Sequence, residues 1–64
     1  WELVRRDGDY YFWCDLPEAE FRIGSLPESV AVAFYRPTGP PERRTARQPL
    51  RYPRDAAFVR LRAR

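Results

Sequence analysis

The 64-residue chain contains no histidine, lysine, asparagine or methionine, only one cysteine and only three glycines. Each absence excludes something. Without histidine or a CxxC pair there is no zinc-ligand set, and a lone cysteine allows no internal disulfide, so the usual staples of small domains are missing. No glycine-rich phosphate loop occurs. No apolar run is long enough to span a bilayer and no signal-peptide pattern opens the chain, so a cytoplasmic location without a membrane partner is expected. The first residue is Trp1 rather than methionine, which reads as a fragment of a longer protein. Catalysis lacks its commonest base. Ser25 and Ser29 fall in an expected turn, and the carboxylate pairs Glu18/Glu20 and Asp15/Glu18 read as solvated, since nothing near them in sequence raises a pKa. No enzyme activity, cofactor or metal is expected.

What is present is aromatic mass and arginine. Aromatic residues make up 16% of the chain, enough to support a folded core in one small domain spanning residues 1–64. A domain of this size buries only about 60% of the surface its unfolded chain exposes, so every large side chain matters. All twelve basic residues are arginine, which reads first as the codon bias of a GC-rich genome. Their distribution is lopsided: residues 1–35 hold three arginines against seven carboxylates, whereas residues 36–64 hold nine against two. Pairing of the basic late strands with the acidic early ones is the first reading. An arginine surface for phosphate or nucleic acid is the second.

The chain is organised around Arg5 to Pro17. Asp7-Gly8 is a two-residue hairpin turn, since glycine accepts positive φ freely and aspartate tolerates it. Closing on that turn pairs Arg6 with Asp9, Arg5 with Tyr10, Val4 with Tyr11, Leu3 with Phe12, Glu2 with Trp13 and Trp1 with Cys14. One face then collects Trp1, Leu3, Phe12 and Cys14 as core, with the cysteine acting as a small hydrophobe and Leu16 following on that side. The other carries Val4, Tyr11 and Trp13 beside Glu2, an amphipathic surface expected to be covered by another element. Pro17 is expected to end the second strand.

Beyond the hairpin, Phe21 and Ile23 form a short strand before a turn over 24–29. Val30 to Tyr35 is a strong strand with Val30, Val32 and Phe34 on one face and Ala31, Ala33 and Tyr35 on the other, the small alanines allowing close approach. Three prolines and a glycine in 37–41 make a loop. Arg43 to Leu50 reads as an edge strand, 51–55 as a turn, and Ala57 to Ala63 as a closing strand with Ala57, Val59, Leu61 and Ala63 inward and Phe58, Arg60 and Arg62 outward. Five or six short strands and no helix predict an all-β fold, a small antiparallel β-sandwich of immunoglobulin-like character or a partly open barrel.

The stretch DGDYYFWCDLP resembles the opening of the Hsp20, or α-crystallin, domain, in which an acidic-glycine turn leads into a strand ending in a Leu-Pro pair. The order that follows is similar too: EFRIG, a turn, VAVAFYR, the basic ERRTARQPLRYP and a final AFVRLRAR. Glu18 stands where that family usually has glycine after Leu-Pro. The resemblance is closest to the short accessory Hsp20-like domains at the end of ArsA-type ATPases, and it covers nearly the whole chain. It implies a bacterial, chaperone-like β-sandwich that binds protein, either a domain of its parent chain or a client polypeptide, with a homodimer as a further partner. The implied contact surface is Val30, Val32 and Phe34, or Phe58, Arg60 and Leu61 of the late strand, whichever lies outside the core. The alternative is a basic β-barrel that binds nucleic acid through residues 43–64, with Tyr35-Arg36, Arg51-Tyr52 and Phe58 beside Arg60 as arginine-aromatic pairs. A third reading is a structural subdomain packed against its parent.

Overall fold

The hairpin forms because two adjacent residues take left-handed backbone conformations. In the computed structural model, which describes residues 1–16 and 18–63, Asp7 has φ 53° and Gly8 φ 82°. Positive φ at both central positions is the two-residue turn whose twist matches that of paired strands. It joins β1 (Glu2–Arg6) to β2 (Asp9–Trp13), with Val4 opposite Tyr11 and Leu3 opposite Phe12, the register expected from the turn. Pro17 lies outside the described residues; β2 has ended four residues before it.

The remaining strands are β3 (Glu20–Phe21), β4 (Ser29–Tyr35), β5 (Glu42–Arg47), β6 (Leu50–Arg51) and β7 (Phe58–Ala63). The fold is all-β and antiparallel. A five-stranded sheet runs β1-β2-β7-β4-β5, and a two-stranded ribbon of β3 and β6 makes the thin second layer of a small sandwich. The closing strand β7 is central, between β2 and β4, so its alternation decides both faces. Seven strands rather than five or six arise because the expected 43–50 strand divides into β5 and β6. Between them Gln48 precedes a cis peptide to Pro49.

One face of the large sheet is the core. Phe12, Val59, Leu61, Phe34, Val32 and Val30 project from it and are covered by Ile23, Leu50 and Tyr52 from the ribbon and its flanks. Phe21 of β3 stacks on Phe12 at 4.2 Å between centroids, and Tyr52 meets the same ring edge-on at 5.9 Å. Full burial of each such aliphatic or aromatic side chain stabilises by roughly 1.5–3 kcal/mol.

Several expectations change at the ends of strands, where cover runs out. Trp1 is 78% and Leu3 40% exposed, because β1 is the edge strand and the ribbon reaches only as far as Phe12. Leu16 is exposed as well, and Cys14 is half-buried against the core edge, its Sγ accepting the Leu16 N–H at 3.3 Å. Ala57 and Ala63 are exposed, leaving Val59 and Leu61 as the inward pair of β7. Ser29 begins β4 rather than sitting in a turn. Tyr52, placed in a turn and among the arginine-aromatic pairs by sequence, is a core residue; its hydroxyl donates to the Ala56 carbonyl at 2.9 Å, and its backbone bonds Glu18 and Ala19.

Gln48 closes the structure where no strand does. Its Oε1 accepts the Ile23 N–H at 2.6 Å, and its Nε2 donates to the carbonyls of Ile23, Leu26 and Pro27 at 3.1, 3.2 and 2.8 Å. A buried amide thereby substitutes for sheet hydrogen bonds along the irregular 23–28 segment.

Candidate interaction surface

The second face of the large sheet is open. The ribbon lies on the opposite side, and no described element covers Val4, Tyr11 and Trp13, contrary to the expectation for that face. Period-two alternation builds this surface in rungs across neighbouring strands. One rung runs through all five strands as Val4, Tyr11, Arg60, Ala33 and Arg43. Toward one end of the strands come Glu2 with Trp13, and Phe58 with Tyr35; toward the other come Arg6 with Asp9, and Arg62 with Ala31 and Thr45.

The surface therefore has two halves. In the aromatic half, Phe58 stacks on Tyr35 at 4.6 Å between centroids and lies 6.3 Å from Tyr11, while Val4 and Trp13 are 45% and 46% exposed. In the basic half, a groove of about 480 Å³ runs over the Ala31 and Ala33 methyls, walled by Arg43 and Thr45 on one side and Arg60 and Arg62 on the other. The alanines, legible in sequence as small, are what make it a groove.

Two of the arginines are pre-positioned. Arg62 grips Asp9 through Nε and an Nη at 2.7 and 2.9 Å, and the Arg60 guanidinium lies over the Tyr35 ring at 5.8 Å. Hydrogen bonding from Arg62 holds the Asp9 carboxyl below the usual carboxylate range, against the desolvation of its nearly buried position and with help from the charges of Arg62 and Arg60. The same bond raises the pKa of Arg62. Charge pairing between the chain's halves is partial. Arg62–Asp9 and Arg54–Glu18 join them, whereas Arg36 pairs with Glu42 and Asp55, Arg44 with Glu42, and Arg22 with Glu28, each within one half. Among the described residues Arg43, Arg47 and Arg60 make no ion pair.

Of the six residues expected to form a contact surface, the structure places Val30, Val32, Phe34 and Leu61 in the core, where no partner reaches them. Phe58 and Arg60 are on the open face, together with Tyr35. Tyr11, Trp13, Val4 and Arg43 complete the surface. The hairpin register already grouped the first three, and Arg43 joins them only through its pairing with Ala33.

Fold and surface define an all-β antiparallel domain with one open sheet face of mixed aromatic and arginine character. No family model matches the chain, and neither a curated protein nor a solved structure matches it.

Proposed function

We propose that this chain is a non-enzymatic interaction domain, an accessory chaperone-like module of Hsp20 type, that binds polypeptide or a domain of its parent protein through the open sheet face. The observation that carries the reading is the uncovered aromatic half. Val4, Tyr11, Trp13, Phe58 and Tyr35 present rings and a branched aliphatic side chain on a rigid sheet, the kind of apolar surface that protein contacts use. The Hsp20 resemblance finds support in the hairpin register and in Glu18, whose φ of 61° is the conformation glycine adopts most easily, at the position where that family usually has glycine. A bacterial cytoplasmic setting belongs to the same proposal.

The test is suppression of aggregation of a heat-labile protein by the wild type and by a Val4→Ser/Trp13→Ser variant. Both side chains are on the surface, so the variant keeps the β-sheet circular dichroism. Loss of most of the suppression in the variant supports the reading; a wild type without effect, or an equally active variant, overturns it.

The arginine groove favours a second reading, binding of single-stranded nucleic acid with phosphates between Arg43 and Arg60 and bases against the neighbouring rings. Arg43, Arg60 and Arg62 on phosphates give a log–log salt slope of about −2. Arg43→Ala/Arg60→Ala is the informative variant, because replacing Arg62 would strand the Asp9 carboxylate. An oligonucleotide affinity independent of salt, or unchanged in that variant, removes this reading.

A further inference from the structure

We infer that two copies of this chain pair antiparallel along β1, centred on Val4, to make one continuous sheet of both molecules. The two-residue turn closes on a hydrogen-bonded pair, Arg6 with Asp9. Hydrogen-bonded and non-hydrogen-bonded pairs alternate, so Val4 and Glu2 also spend their N–H and C=O groups on β2. Leu3 and Arg5 aim theirs outward, at an edge with no strand beside it among the described residues.

The segment Glu2-Leu3-Val4-Arg5-Arg6 is self-complementary about its middle residue. Antiparallel pairing centred on Val4 sets Leu3 against Arg5 of the second copy, and Arg5 against Leu3, as hydrogen-bonded pairs that use the outward groups. Val4 then meets Val4, and Glu2 meets Arg6 twice by symmetry, both as non-hydrogen-bonded pairs, in which side chains lie closest. One registration thus satisfies hydrogen bonding, charge and apolar contact together. A shift by one residue would lose the charge match.

The side chains are disposed for it. Glu2 and Arg6 make no ion pair with other described residues and every residue of β1 is exposed, so the complementary charges are uncommitted. The Arg5 guanidinium is laid back over the Tyr10 ring of its own sheet at 5.7 Å, away from the edge. The opposite edge, β5, carries three arginines against one glutamate and repels a second copy more strongly. Pairing along β1 also sets the two open faces side by side, with Val4 and Tyr11 of each copy at the junction. The inference does not depend on what those faces bind.

Charge swapping, read by sedimentation velocity across a concentration series, tests it. The wild type dimerises, whereas Glu2→Arg and Arg6→Glu each turn both symmetric pairs repulsive and weaken the dimer by about tenfold or more. Mixing the two variants restores attraction at both pairs and yields a heterodimer, and the double variant E2R/R6E forms a homodimer again. Amide exchange at Leu3 and Arg5 slows as concentration rises, while Val4, bonded within its own hairpin, changes little. A wild type that stays monomeric throughout, variants that dimerise as well as the wild type, or a mixture without rescue overturns the inference. Circular dichroism and the Phe12 amide, inside the sheet, report whether each variant is folded.

Discussion

Removing the Gln48 amide tests most directly how so small a sandwich is held closed. Gln48 is 5% exposed and makes four side-chain hydrogen bonds to the backbone of residues 23, 26 and 27. Gln48→Ala leaves the buried Ile23 N–H without a partner and takes the amide donor from the carbonyls of Ile23, Leu26 and Pro27, of which that of Ile23 keeps the Leu26 N–H at 3.1 Å. An unsatisfied buried backbone group costs about 1–3 kcal/mol. The Ile23 N–H counts in full because its bond is buried, the Ile23 carbonyl keeps the Leu26 N–H, and the partly buried Leu26 and Pro27 carbonyls can turn to water, so the loss should be about 1–3 kcal/mol. A domain of this length has about 3–10 kcal/mol in total, so the variant should lose a substantial share of its stability. Urea unfolding followed by far-ultraviolet circular dichroism measures it, and with a slope of about 1 kcal/mol per molar the midpoint falls by about 1–3 M. Gln48→Glu sharpens the test. Its carboxylate would still accept the Ile23 N–H but would face the three carbonyls, so its folded pKa rises above the unfolded value of about 4.3. Stability from that group is then complete below the unfolded value and lost as pH rises through the folded one, making the variant firmer at pH 4 than at pH 7 relative to wild type. A Gln48→Ala loss below about 1 kcal/mol, with the Ile23 amide still protected from exchange, would refute the amide's role as a clamp.

Two further outcomes follow from single residues. Gly8→Ala places a Cβ into open space at φ 82°, so the cost is conformational alone, about 1 kcal/mol by chemical unfolding; a neutral substitution would mean the turn is not held in this form. Asp9, with its folded pKa below 3.8, contributes stability that is present above that value and lost as pH falls through the folded one, so Asp9→Asn should flatten the acid limb of the stability profile; an unchanged acid limb would show that Arg62 does not bind it in solution.

The hairpin was legible because its determinants are adjacent. Asp7 and Gly8 admit the turn, and once the turn is placed, counting outward pairs Leu3 with Phe12 and Val4 with Tyr11. The faces of β4 and β7 were legible for a similar reason, since alternation along one strand needs no knowledge of its neighbour. Tyr52 and Gln48 were not. Tyr52 is flanked by Arg51 and Pro53, a turn by composition, and becomes core only because β6 pairs with β3 thirty residues earlier in the chain. Gln48 shows no periodicity of its own, and its four acceptors and donors lie more than twenty residues away. The arginine groove needed three strands in register, a non-local fact, although Ala31, Ala33, Arg60 and Arg62 could each be assigned a face beforehand.

Local sequence, then, set where strands run, where they turn and which residues share a side, because backbone preference and side-chain alternation act within a few residues. Folding in three dimensions chose which side of the sheet the β3–β6 ribbon covers, and with it the fate of Val30, Val32, Phe34 and Leu61 as core and of Tyr11, Trp13, Phe58 and Arg60 as surface. Both sides of the hairpin carried large apolar groups, so patterning alone left that choice open; it was made by packing, where Phe21, Ile23, Leu50 and Tyr52 close over one side only.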